Sequence, residues 1–176
     1  MSEGLDHLWA GWRSTYIAEV SADDAKLTST EHGSLFEGIL HSGRPDDETF
    51  IVHRGPTCFA ILNAYPYTNG HVLVLPNRAV ADLDGLDEIE HVELWSTVRD
   101  AVAAIRAAYG CDGVNVGMNL GRAAGAGVPT HLHVHALPRW NGDTNFMTAV
   151  AETRVMPESL GSSWDKLRAA WPTGPA

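Results

Sequence analysis

The sequence predicts an α+β domain: an antiparallel sheet with one long helix packed on it and smaller helices toward the ends. Three observations carry that prediction. Apolar runs of strand length recur at 50–54, 58–63 and 71–76, and the last two are joined by a connection short enough for antiparallel neighbours. Residues 86–109 place Ile89, Val92, Trp95, Val98, Val102, Ile105 and Tyr109 at helical spacing. Residues 130–140 alternate His131, His133 and His135 with Leu132, Val134 and Ala136, which is the period of a strand.

The first segment, 5–20, is rich in aromatics (Trp9, Trp12, Tyr16) and reads as an arm or a short helix interrupted by Gly11. Small polar residues over 21–34 read as a loop, 34–40 as a short helical turn and 42–47 as another loop. A strand over 50–54 ends at Gly55 and Pro56. The run 58–63 is almost wholly apolar, as a central strand should be. A loop with Tyr65 and Tyr67 then leads to the strand 71–76. The long helix starts at an Asp87 cap with Glu90 three residues on, and stops at Gly110. Its Glu88, Glu93, Arg99, Asp100 and Arg106 read as a solvated face. A strand over 114–119 and a glycine-rich loop over 121–128 precede the histidines. A turn follows at 141–144, a further short strand at 145–150, and a helix over 157–170 anchored by Trp164, Leu167 and Trp171. Residues 1–176 read as one domain, with 50–150 as the core that carries the histidines and 157–171 as a C-terminal helix.

Composition narrows the function. Twelve basic against 22 acidic residues give a formal net charge of −10, which argues against the broad basic surface of a nucleic-acid binder. Cys58 and Cys111 have no paired spacing and read as buried thiols. Residues 1–6 lack a basic, apolar leader, and no run approaches the ~18 apolar residues of a membrane span. The expectation is a cytoplasmic protein without a membrane partner.

Each imidazole has two nitrogens that need partners, so three on one strand face are hard to place as packing. Two kinds of site accommodate them. One is a metal centre, where His-x-His is a common ligand pair. The other is covalent catalysis, in which one imidazole attacks phosphorus while its neighbours orient it and protonate the leaving group. No acid follows His135 until Asp143, and Arg139 sets positive charge nearby; both points weaken the metal reading. The glycine-rich loop favours the covalent one, since backbone N–H groups without side chains can cradle a phosphate.

Residues 131–137, His-Leu-His-Val-His-Ala-Leu, resemble the signature of the histidine triad (HIT) superfamily. The similarity extends over about residues 5–170, through Leu8, Trp9, Arg13, Tyr16 and Ile17, through Asn63 and 70–76, and through 138–146. It is strongest to actinobacterial members related to diadenosine tetraphosphate phosphorylases. The resemblance implies a HIT-like fold and cleavage of a nucleoside 5′-phosphoryl bond, as a phosphorylase or a hydrolase. By the same resemblance His133 would be the nucleophile, His135 would contact the phosphate, and His131 and His71 would support them. Asn63 would bind the ribose and Asn119 the phosphate or ribose, while Gly125, Ala126, Gly127, Val128 and Pro129 would line the α-phosphate. It further implies a small-molecule nucleotide as ligand, no cofactor, and a two-fold homodimer or higher homo-oligomer.

From the residues alone, Asn63 equally reads as the end of a strand, Asn119 as a loop cap and His71 as a turn residue. His7, His32, His41, His53 and His91 match no motif position. Two departures from the family pattern stand out. Ser34 and Glu37 occupy the place of a Cys-x-x-Cys zinc pair, and no histidine follows Pro76 closely, so no structural zinc is expected. Ala126, Gly127 and Val128 stand where relatives often carry Gln or Ser, which leaves the acceptor of the second step open. It also leaves room for a nucleotide-binding module with little turnover.

Overall fold

The computed structural model describes residues 33–143 and 156–173. In chain order these form α1 (Leu35–Leu40), α2 (Asp46–Thr49), β1 (Ile51–Arg54), β2 (Cys58–Leu62), β3 (Val72–Pro76), α3 (Glu88–Tyr109), β4 (Gly113–Met118), β5 (Val134–Arg139) and α4 (Leu160–Ala170). Single 3₁₀ turns lie at Leu83–Gly85 and Arg122–Ala124. The strands pair in the order β1-β2-β3-β5-β4, and every neighbouring pair is antiparallel. The α+β class holds. The arm at 5–20 and the strand expected at 145–150 lie outside the described residues.

Strand alternation splits the core in two. Ala60, Leu62, Val72, Val74, Val134 and Ala136 pack beneath Leu94, Val98, Ala101, Ala104 and Ile105 of α3 and Leu167 of α4. On the opposite face Ile51, Phe59, Ile61, Leu73 and Leu75 meet Phe36 and Leu40 of α1, together with Val128. Burial on both faces explains why β2 reads as a continuous apolar run.

Both ends of α3 follow the sequence signals. Asp87 accepts the Glu90 N–H at 2.8 Å, Glu90 accepts the Asp87 N–H at 2.9 Å, and Gly110 closes the helix at φ 54°. Its buried face differs from the expected one. Glu90, Leu94, Thr97, Val98, Ala101, Ala104 and Ile105 are buried. Ile89, Val92 and Trp95 are instead 69%, 64% and 41% exposed. The helix carries two apolar stripes, and helical spacing alone does not say which one meets the sheet. Glu93 also leaves the solvated face. Its carboxylate accepts from the Thr57 N–H (3.0 Å), the Thr57 hydroxyl (2.6 Å) and the Cys58 N–H (3.3 Å), tying the β1–β2 turn to the helix.

Smaller corrections follow from local bonding. The loop expected over 42–47 gives way to α2 at Asp46, and Phe50 ends that helix in the left-handed region at φ 58°. Cys58 is buried, with its thiol pKa pushed up to about 12 by desolvation, whereas Cys111 is only half-buried. The C-terminal helix begins at Leu160 rather than at 157 because Ser159 caps it, and Leu167 and Trp171 are buried as anchors. It also covers the outer edge of β1, where the Trp164 indole donates to Ile51 O (2.8 Å) and Arg168 to Val52 O (2.9 Å). No helix among the described residues is long and apolar enough to cross a membrane.

Candidate active site

The histidines gather where β3, β5 and the β2–β3 loop meet α1. Of the three aligned histidines only His135 lies within β5, opposite Leu73 and Gly117. His131 and His133 precede the strand, which corrects the reading of all three as strand residues. The reason is local. The His131 N–H bonds back to Val128 O (3.3 Å) and the Leu132 N–H goes to Val80 O (2.6 Å), so the backbone joins the ladder only afterward. The alternation of faces survives: Leu132, Val134 and Ala136 enter the core beneath α3. The His131 and His133 rings meet Phe36 of α1, at 5.6 and 5.5 Å between centroids.

The hydrogen-bond partners assign the tautomers. His131 Nε2 lies 2.8 Å from Pro76 O, and a carbonyl only accepts, so Nε2 carries the proton. Its Nδ1 lies 2.7 Å from Ser34 Oγ and therefore accepts that hydroxyl's hydrogen. His133 Nδ1–H donates to the His131 carbonyl at 2.8 Å, which leaves Nε2 as the unprotonated nitrogen of the neutral ring. Burial lowers the pKa of both rings below the ordinary 6.5, against the opposing effect of these carbonyl bonds, and favours the neutral forms.

His71 immediately precedes β3. Its Nδ1 accepts the Tyr67 N–H at 3.1 Å and is 3.3 Å from the Asn63 amide nitrogen. Its Nε2–H then donates to His135 Nδ1 at 2.9 Å, so a neutral His135 carries its proton on Nε2. The His133 and His135 rings are 5.0 Å apart at 68°. An unprotonated imidazole nitrogen thus neighbours a ring of the opposite tautomer, the pairing that nucleophilic attack with proton donation requires.

Asn63 follows β2 directly and lies beside His71. It accepts the Tyr65 N–H at 3.0 Å, as a turn residue would, while its amide faces His71. Gly70, at φ 74°, is required in the same loop because a Cβ there would lie 2.3 Å from the Tyr109 ring. Two contributors escaped the sequence reading. Tyr67 supplies the N–H that orients His71 and stacks on His135 at 6.0 Å and 16°; its backbone role leaves no trace in residue type. Ser34 had a signal, a serine three residues before Glu37 and ahead of an apolar turn.

Asn119 follows β4 directly and is half-buried. In the glycine-rich loop Gly125 adopts φ 92°, Ala126 and Val128 are buried, and Gly127 and Pro129 are half-buried. The Ala124 and Ala126 N–H groups bond to Gly121 O, and that of Gly125 to Arg122 O. A cavity of about 140 Å³ adjoins His71 near Leu62 and Leu160, but neither His133 nor His135 lines it.

A structural zinc does not fit at Ser34. Both ring nitrogens of His131 are engaged, and the Glu37 carboxylate accepts the Ala79 N–H at 2.8 Å. No group of three or more metal-ligating side chains comes together among the described residues.

The family model described as the HIT domain matches residues 44–142, more than half of the chain. An AP-4-A phosphorylase of Mycobacterium tuberculosis is 36% identical over 171 residues, 97% of this chain and 87% of that protein. An asymmetrical bis(5′-nucleosyl)-tetraphosphatase of Schizosaccharomyces pombe is 37% identical over 93 residues, 53% of this chain and 50% of its own. Among solved structures, a zinc-bound histidine triad family protein from Mycobacterium smegmatis aligns with a TM-score of 0.63 at 27% identity, covering 77% of this chain and 91% of that one. The family match over most of the chain and the relative that is 36% identical over 97% of it show that the chain belongs to the HIT family.

Proposed function

We infer that this protein cleaves a nucleoside 5′-phosphoryl bond of a dinucleoside polyphosphate through a nucleotidyl-histidine intermediate. The observation that carries the reading is the bond from His133 Nδ1–H to the His131 carbonyl, which leaves Nε2 free of its proton. In the first step that nitrogen forms a bond to the α-phosphorus, and the P–O bond to the leaving polyphosphate breaks. His135, with its proton on Nε2, contacts the phosphate and is the nearby donor for the departing oxygen. His71 and His131 hold the two reacting rings in their tautomers. Asn63 takes the ribose, and Asn119 the ribose or phosphate. Residues 125–129 line the α-phosphate; with Ala126 engaged inside its own turn, the backbone at Gly127 and Val128 is where phosphate oxygens find donors.

In the second step an acceptor attacks the phosphorus and His133 leaves. The relative that matches over nearly the whole chain is a phosphorylase, which favours inorganic phosphate as acceptor. With diadenosine tetraphosphate and phosphate the products are then ADP and ATP; with water they are AMP and ATP. Product analysis with and without phosphate decides, and AMP formed equally under both conditions removes the phosphorylase reading. Replacing His133 by Ala should abolish turnover while circular dichroism stays unchanged; retained turnover rules out the covalent route. A second reading, a nucleotide-binding module with little turnover, draws on Ala126, Gly127 and Val128, which offer no polar side chain to the phosphate. AMP binding in calorimetry without cleavage of any AMP ester would favour it.

We take residues 1–176 as one domain acting as a homodimer or higher homo-oligomer in the cytoplasm. Exposed Ile89, Val92 and Trp95 on α3 and Val116 on the edge strand β4 support self-association. Free Cys58 and Cys111 suit a reducing compartment.

A further inference from the structure

We propose that Ser34 is a positioning residue for the nucleophile, acting through His131. The proposal rests on the reading of His133 as the attacking group. The Ser34 hydroxyl is fully buried and serves two structures at once. Its oxygen accepts the Glu37 N–H at 3.2 Å and so caps α1, while its hydrogen goes to His131 Nδ1 at 2.7 Å. That donation holds His131 in the Nε2–H form, bonded to Pro76 O. The same residue's backbone carbonyl receives His133 Nδ1–H. Phe36, in the first turn of the capped helix, packs its ring against both His131 and His133. Helix cap, supporting histidine and nucleophile thus form one connected unit with Ser34 at its origin.

Without the hydroxyl, His131 keeps a buried Nδ1 lone pair that has no donor. The ring must then take up a proton, turn over or shift toward water. Each outcome disturbs the bond to Pro76 and moves the carbonyl that orients His133. Once the His133 proton is free to occupy Nε2, that fraction of the enzyme cannot attack phosphorus.

The experiment compares Ser34→Ala and Ser34→Gly with Glu37→Ala in the full chain. Glycine serves nearly as well as serine as a helix cap, so Ser34→Gly removes the hydroxyl with little loss of capping. Glu37→Ala loosens α1 by removing its tie to the Ala79 N–H and leaves the hydroxyl in place. Imidazole ¹⁵N NMR near neutral pH should find His131 protonated at Nε2 and His133 at Nδ1 in the wild type. Both Ser34 variants should populate the other His133 tautomer and lose about tenfold or more in kcat on diadenosine tetraphosphate, with KM little changed. Glu37→Ala should keep the wild-type tautomers and most of the kcat.

Wild-type tautomers and kcat in both Ser34 variants would overturn the proposal. An equal loss in Glu37→Ala would also overturn it, because the hydroxyl would then only dock the helix. If neither Ser34 variant folds, the wild-type spectrum still decides, since His131 protonated at Nδ1 or His133 at Nε2 contradicts the relay. Turnover retained by His133→Ala would defeat the functional reading and leave the tautomer result standing, so the two failures are distinguishable.

Discussion

In the proposed mechanism His133 attacks only while its Nε2 carries no proton, and its burial makes the neutral ring the favoured state at neutral pH. Desolvation places its pKa below the ordinary 6.5, so kcat/KM should stay level as pH falls to that value and drop only further into the acid range. A profile that already breaks at pH 7 would contradict the assigned state. Stability carries the same sign. The unfolded chain binds protons at His131 and His133 below about pH 6.5 while the folded chain resists them. The stability they contribute is therefore full above 6.5 and falls as the pH drops toward the folded values, with a limiting slope of about 1.4 kcal/mol per pH unit for each ring. Urea midpoints at pH 7 and pH 5 measure this, and His133→Ala should flatten the dependence. Residue type revealed His131, His133 and His135 as special, because three imidazoles at period two are hard to satisfy by packing. It did not reveal Tyr67 or the full part of Ser34, because a backbone N–H and a helix-capping hydroxyl act through placement.

Sequence signals served the ends of elements better than their faces. Asp87, Glu90 and Gly110 bound α3 through contacts within four residues, which local sequence encodes. Asp87→Ala should cost about 1 kcal/mol, read as a lower urea midpoint with unchanged slope. No measurable change would mean that Glu90, held by Arg78 at 2.6 Å, closes the helix end without its partner. The inward face of α3 was misread because Ile89, Val92 and Trp95 are as apolar as the residues that reach the core. Ala101 and Ala104, less conspicuous by hydropathy, are fully buried against the sheet. The start of β5 moved for a related reason, since the bond from Leu132 to Val80 O joins segments far apart in sequence.

At the scale of the whole molecule, two exposures among the described residues are left for other surfaces to cover. The apolar stripe on α3 and the outer edge of β4 are the features a second copy would bury, whereas α4 already covers the opposite edge at β1. Trp95→Glu should therefore shift the protein toward monomer in sedimentation velocity without loss of helix content. An unchanged assembly would place the subunit contact elsewhere. Glu88 flanks Ile89 on that stripe, so association through it should be salt-sensitive.

The sequence by itself determined the fold class, the antiparallel pairing of β2 with β3, the limits of the long helix and the identity of the candidate histidines. Each of these follows from periodicity, capping or residue chemistry expressed over a few neighbouring positions. Only the tertiary structure decided which face of α3 is inward and where β5 begins. It also decided which nitrogen of each histidine in the 131–135 stretch holds the proton. Those outcomes depend on Pro76, Val80, Tyr67 and Ser34, which lie far along the chain and meet the histidines only after folding. For residues 131–135 the sequence thus named the groups, and the folded surroundings leave His133 Nε2 as the unprotonated nitrogen.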